Sequence, residues 1–295
     1  MAERTTRGRS ARAPRAIFSR VVKSLESRKA QLSGMPASLR HLKAIVTGAT
    51  SGIGAATARH FAKHGATLLA TGRNKDALDK LKQETNCHIL DADLTLPRAC
   101  EKVVVEAVKA MDGLTTLVNC AGVLQPGAMG DATLENFNFN FAGNVQNQFE
   151  MIVHSIPHLK AAGVDAGPSI VNVSSVNGLV SFGGVATYCA AKAALDMLAR
   201  CAAVDLAPYG IRVNNVNPGL VLTELQRRGG LTEEQYQMLV QRSMEVTHPL
   251  AKSLGRCASA EEVAQLIAFL ASSDAAFITG DCIKIDGGRG CVGAR

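Results

Sequence analysis

The stretch Lys43-Ala44-Ile45-Val46-Thr47-Gly48-Ala49-Thr50-Ser51-Gly52-Ile53-Gly54 decides the fold. Its first five residues form a short apolar run that reads as a buried strand. Three glycines follow within seven positions, and then Ala55, Ala58, Phe61 and Ala62 recur at helical spacing. A strand, a glycine-rich turn and a helix start make a phosphate cradle. The missing Cβ atoms let a pyrophosphate approach the backbone N–H groups at the positive end of the helix dipole. Gly48, Ser51, Gly52, Ile53 and Gly54 are the candidate contacts. A glycine-rich turn alone is a weak signal; its place between a strand and a helix gives it weight.

Working outward, Thr67-Leu68-Leu69-Ala70-Thr71 reads as a second strand, ending at Gly72-Arg73-Asn74. An acid at about this distance past the glycines would bind the ribose 2′-hydroxyl of NAD. Arg73 stands there instead and suits the 2′-phosphate of NADP; the alternative is a solvated surface arginine. Residues 88–95 give a third strand ending at Asp93, beside Leu94. Asp93 can accept from an adenine amine or cap the next helix, which Thr95 and Pro97 would open. A fourth strand ends in Asn119-Cys120-Ala121-Gly122, a small-residue turn against which a flat ring could lie. Later strands are read at Ile170–Val173, at Ile211–Val216 before a rigid Asn217-Pro218-Gly219 turn, and within 277–288. Helical patterns separate them, including a long one from Leu134 to Lys160. This alternation predicts an α/β fold: a doubly wound parallel sheet with helices on both faces and ligands at the strands' carboxyl ends.

The chemistry concentrates between Ser175 and Lys192. Ser175 follows the fifth strand, and Tyr188 and Lys192 are four apart, on one face of a helix. Glycines between them let the chain turn back, so a hydroxyl, a phenol and an amine could surround one small ligand. Val123, Leu124, Asn177, Phe182 and Leu220 are expected to line the site around them. Residues 220–258 are polar, carry a helix near Thr232–Ser243, and read as a lid over a cleft. Arg227 and Arg228 within it either meet an anionic substrate or are solvated.

Composition narrows the remaining choices. The net charge of +7 sits in residues 1–40, where ten basic residues face two acidic ones; the rest of the chain is nearly neutral. That balance speaks against nucleic-acid binding. The basic extension carries an apolar stripe of Ile17, Phe18, Val21, Val22 and Leu25. It reads either as a mitochondrial transit peptide or as a basic tail, leaving an intracellular location in cytoplasm or mitochondrion. The eight cysteines lack any CxxC spacing and read as reduced thiols. No apolar run approaches the ~20 residues that span a bilayer. His60 and His64 have a zinc-compatible spacing but no accompanying acid, so no metal is expected.

Together the motifs resemble the short-chain dehydrogenase/reductase family, over about residues 41–291. The resemblance rests on Thr47-Gly48-x-x-x-Gly52-x-Gly54, Asp93, Asn119-Cys120-Ala121-Gly122, Asn144, Ser175, Tyr188-x-x-x-Lys192, Asn217-Pro218-Gly219, and Thr279-Gly280 with Asp286-Gly287-Gly288. It implies a seven-stranded Rossmann sheet, a nicotinamide cofactor and a homotetramer or homodimer. It implies a catalytic set of Asn144, Ser175, Tyr188 and Lys192. Tyr188 would be the acid/base, Ser175 a donor to the substrate oxygen, and Asn144 a proton-relay residue in a helix kinked before a helix-end Pro157. It adds cofactor contacts at Arg73, Asp93, Leu94, Asn119, Ala121, Gly122, Tyr188, Lys192, Pro218, Gly219, Val221 and Thr223. Where the family has a second Asn, this chain has Cys120, which puts one tie between central strands in doubt. Lys192 is expected to lower the Tyr188 phenol by up to about three pH units. The reading is an NADP(H)-favouring carbonyl reductase acting on a small ketone or secondary alcohol. A 3-oxoacyl thioester reductase and a non-catalytic nucleotide-binding or structural subunit are the alternatives.

Overall fold

A computed structural model describes residues 39–292. The basic extension, and with it the targeting reading, lies outside these. Seven parallel strands form one sheet in the order β3-β2-β1-β4-β5-β6-β7. They are β1 Lys43–Val46, β2 Thr67–Gly72, β3 His88–Asp91, β4 Thr116–Asn119, β5 Ser169–Val173, β6 Arg212–Pro218 and β7 Cys282–Ile285. The order reverses between β1 and β4, and a crevice opens there at the strands' carboxyl ends. The expected doubly wound architecture is what forms.

The helices follow the chain as α1 Gly52–Lys63, α2 Lys75–Thr85, α3 Ala99–Met111, α4 Leu134–Phe141, α5 Asn147–Ala162 and α6 Ala186–Leu206. After them come α7 Leu225–Arg228, α8 Glu233–Arg242, α9 Pro249–Leu254 and α10 Ala260–Ala271. One core joins α1, α2 and α10 to the sheet through Phe61, Leu78, Leu81, Val263 and Ile267. The other joins α3, α5 and α6 through Val103, Val104, Met151, Leu159 and Ala199. Burial on both faces explains the apolar run Ala44–Val46 of β1, and Asn172 breaks the corresponding run of β5.

Four boundaries differ from the sequence reading. β3 stops at Asp91, and Asp93 sits in the following turn, where its Oδ1 accepts from the Thr95 amide (3.0 Å) and hydroxyl (2.7 Å). Helix α3 opens after Arg98 in the left-handed region (φ 61°) rather than at Thr95 or Pro97. β6 runs through Asn217 and Pro218, because β7 pairs with it as far as Ile285. Pro157 lies inside α5, not at its end. The irregularity in the long helix is instead a π-turn at Ala142–Gln146. There Asn144 Nδ2 donates to Asn140 O (2.8 Å) and Asn147 Nδ2 to Gly143 O (3.0 Å). Such turns are frequent at functional sites.

Candidate active site

The glycine turn is built for close backbone approach. Gly48 has φ +64°, and a Cβ there would lie 2.8 Å from Ala121 N. A Cβ on Gly54 would lie 2.3 Å from Gly48 O. The Thr47 hydroxyl fastens this turn to the end of β4 by accepting from the amides of Cys120 (3.1 Å) and Ala121 (3.0 Å). At the start of α1 the Ser51 side chain makes no cap, and no acid stands in the first turn. Free amides and the helix dipole there suit an anion. The residues present therefore fit a dinucleotide.

A cleft of about 600 Å³ runs from this cradle across the carboxyl ends of the strands, within the range of small-ligand sites. Arg73 and Asp93 close its outer end, 3.9 Å apart. Desolvation of the Asp93 carboxyl works against it, yet the Thr95 bonds and Arg73 hold it below its ordinary range.

On the inner wall β5 delivers Ser175 and α6 delivers Tyr188 and Lys192, all buried. Ser175 Oγ accepts from Asn177 N–H (3.1 Å), which leaves its own proton to give. Lys192 Nζ donates to Val173 O (3.0 Å) and stands 5.8 Å from the centre of the Tyr188 ring. Asn144 donates to Val123 O (2.9 Å), and its Oδ1 accepts from Val123 N (3.2 Å). A Cβ on Gly122 would lie 2.9 Å from Asn144 Oδ1 and 3.6 Å from Lys192 Nζ, so amide and amine flank one point.

Beneath these groups a chain of buried amides crosses the sheet. Asn119 Nδ2 donates to Asn172 Oδ1 (3.0 Å), and Asn172 Nδ2 donates to Asn215 Oδ1 (2.9 Å). The chain ends on Asp196, one helical turn past Lys192, which accepts from Asn215 (2.8 Å) and Asn217 (2.9 Å). Burial pulls Lys192 down to about 8, opposed by the Asp196 charge.

The chain's likeness to known proteins agrees with this arrangement. A family model described as enoyl-(acyl carrier protein) reductase matches residues 48–289. A short-chain dehydrogenase/reductase of unknown function from Caenorhabditis elegans, solved with cofactor, superposes with a TM-score of 0.78. It is 32% identical and covers 86% of this chain and 98% of its own. The chain belongs to the short-chain dehydrogenase/reductase family. It is 34% identical to a trans-4-hydroxycyclohexanecarboxylate dehydrogenase of Sinomonas cyclohexanicum, over 83% of this chain and 92% of that one. The same figures hold for a meso-2,3-butanediol dehydrogenase of Serratia marcescens. This short-chain dehydrogenase/reductase is accordingly an oxidoreductase of alcohol or carbonyl groups that uses a nicotinamide cofactor.

Of the residues expected at its site, all line the cleft except Asn119. Asn119 is fully buried between strands, where its side chain joins the amide chain. The electrostatics of Tyr188 also run against expectation. Burial pushes the phenol up to about 12, and the Ser175 hydroxyl, not Lys192, is what opposes the rise. The amine lies 5.8 Å from the ring centre, and burial lowers its own hold on a proton.

The two lid arginines separate. Arg227 is braced by Glu224, Glu233 and the Tyr236 ring. Arg228 is not simply solvated: its Nη1 donates to Ser51 Oγ (3.1 Å) at the cradle. Sequence reasoning also missed His248. Its Nε2 accepts from Leu220 N–H (2.9 Å), and a Cβ on Gly219 would come within 2.6 Å of it. It lies some thirty residues downstream of that contact, and no spacing signals it. Asp196 could have been noticed, as an acid on the inward face of α6 four residues after Lys192.

Proposed function

We propose that this protein moves hydride between NADP(H) and a ketone or secondary alcohol, with Tyr188 as proton donor in reduction and acceptor in oxidation. One observation carries the reading. Ser175, Tyr188, Lys192 and Asn144 are brought together, buried, on the wall of a cleft that begins at a phosphate cradle. The nicotinamide supplies or receives the hydride. Ser175 donates to the substrate oxygen and steadies the charge that develops there. Tyr188 passes its proton to the same oxygen. Its high native value makes it a ready acid-side partner at neutral pH and a base only as pH rises. Lys192, with Asn144 behind it, restores the proton from solvent.

Arg73 supports NADP over NAD, because β2 is followed by an arginine where an NAD site carries an acid for the ribose 2′-hydroxyl. Segment 220–258 acts as a lid, joined at its base by the Leu222 amide donating to Ala258 O (3.1 Å). Exposed Phe149 and Val153 on α5, with Met197 and Val204 on α6, support assembly as a homodimer or homotetramer through these helices. The hydroxy-acid and diol relatives support the small-alcohol class. The carrier-protein wording of the matched family model is the observation that favours a 3-oxoacyl thioester instead.

The test is a panel of ketones, secondary alcohols and acetoacetyl-CoA, assayed by absorbance with NADPH and with NADH. Turnover of free ketones, faster with NADPH, is the expected result. Activity confined to the thioester, or a clear NADH preference, would replace the respective part of the reading.

A further inference from the structure

The substrate end of the cleft holds a charge that the proposed chemistry does not use. Arg289, in the 3-10 turn Arg289–Cys291 after β7, is only 7% exposed, yet it lines the cleft beside Phe182 and His248. Its guanidinium carbon lies 5.9 Å from the centre of the Phe182 ring. Among the described residues it has neither an ion pair nor a side-chain hydrogen bond. Asp286, the acid closest in sequence, is already committed. Its Oδ1 accepts from Gly288 N–H (3.0 Å) and its Oδ2 from Gly290 N–H (2.7 Å). His248 brings no negative charge, since burial first and Arg289 next hold it below its ordinary range.

The other deeply buried arginine shows what is missing. Arg212 is 8% exposed, and its fork donates to the carbonyls of Leu270 (2.6 Å), Ala271 (3.4 Å) and Ser272 (3.1 Å). It caps the end of α10, where a cation belongs. A buried guanidinium without such partners is costly. At Arg289 the described residues offer the five donors no partner, the cleft is open to them, and a planar fork matches a carboxylate in two parallel bonds.

We propose that Arg289 receives a substrate carboxylate, so that the substrate pair is a hydroxy acid and its keto acid rather than a neutral alcohol and ketone. This rests on the placement of the reacting oxygen at Ser175 and Tyr188. In the reducing direction the keto carbon gains a hydride from NADPH, which becomes NADP⁺. The carbonyl π pair takes the Tyr188 proton at oxygen, and one proton from solvent restores the phenol. The carboxylate is unchanged and serves only to hold the molecule. One guanidinium fork sets the ligand as a single carboxylate, and the three keto acids below differ in its distance from the carbonyl.

The experiment uses the full chain and three keto acids: acetoacetate, levulinate and 4-oxocyclohexanecarboxylate. Each is compared with its own methyl ester, with NADPH as reductant. For at least one pair the acid should be favoured in kcat/KM by at least ~10-fold. Arg289→Gln should lower that ratio at least ~10-fold, mainly through KM, and Arg289→Lys should recover part of it. NADPH fluorescence titration reports whether each variant is folded. Should Arg289→Gln fail to fold, inhibition of the wild-type ester reaction by pentanoate but not by pentanamide decides for the proposal, and equal inhibition decides against it. Acid and ester used equally, or a ratio unmoved by Arg289→Gln, overturns the carboxylate assignment while leaving the oxidoreductase reading intact. Failure of every acid and every ester with both coenzymes overturns both.

Discussion

The floor of the site and the segment above it are held in opposite ways. The floor is a run of buried amides, Asn119, Asn172 and Asn215, ending on Asp196 beneath Lys192, with each link 2.8–3.0 Å long. Every member is under 3% exposed. Segment 220–258 is held by exposed ion pairs, Arg227 with Glu224 and Glu233, and Arg256 with Glu262. Its two ends bridge each other at Val221 and Ala258, and the Leu250 amide ties it to Gly287 O after β7 (3.0 Å). Buried polar networks fix geometry and punish any missing partner, whereas exposed pairs are screened and worth little. Polar groups are therefore fixed most firmly where the proposed proton transfer takes place, and the ion pairs of segment 220–258 contribute less.

The comparison breaks most easily at Asp196. Asp196→Ala strands the amide donors of Asn215 and Asn217 and removes the charge that opposes burial of Lys192. A stability loss of about 2–4 kcal/mol is expected from denaturant unfolding, since each stranded group costs ~1–3 kcal/mol. A fully stable Asp196→Ala would mean the floor is not the rigid half.

Lys192 sharpens the same point through pH. Its native value, about 8, lies below the ordinary 10.5. Between these values the unfolded chain binds the proton that the native state has released, so native stability gains as pH rises. Below about 8 both states are protonated and the full burial cost applies. Wild type should therefore gain stability over Lys192→Met from pH 8 to 10, by at most ~1.4 kcal/mol per pH unit. Guanidinium unfolding at several pH values measures this, and a flat difference would mean Lys192 is not desolvated.

The neighbouring lid arginines give the smallest effects and the cleanest contrast. Arg228→Ala should weaken NADPH binding about 5–10-fold in a fluorescence titration, because it removes a cation from beside Ser51, a loss of ~1–1.4 kcal/mol. Arg227→Ala should leave that affinity nearly unchanged and lower Tm by only about 1–2 °C. Instead, it should speed amide hydrogen exchange in α8. Equal effects on affinity would erase the distinction drawn between them.

What the sequence made legible follows the same division. The cradle, the alternation of strands and helices and the Ser175–Tyr188–Lys192 group are local patterns, because a turn between strand and helix, or two residues one helical turn apart, is set by near neighbours. The bond of Asn119 to Asn172 was not legible, because it depends on register across the sheet, which no local spacing reports. Arg228, His248 and Arg289 converge on the cleft from the lid and from the turn after β7. Their roles arise from contacts between distant parts of the chain. The direction of the Tyr188 shift was hidden for a related reason: burial is a property of the packed site, and it outweighs a lysine that spacing alone would place beside the phenol.

The central claim is that Tyr188 moves the proton and that its hydroxyl adds little to cofactor affinity. Tyr188→Phe tests it most directly, through steady-state turnover of the best substrate from the ketone panel and NADPH fluorescence titration on the same preparation. The account predicts a fall in kcat of at least ~10²–10⁴-fold with the NADPH dissociation constant changed less than about threefold. Turnover surviving in that variant, or loss of NADPH binding along with it, would contradict it.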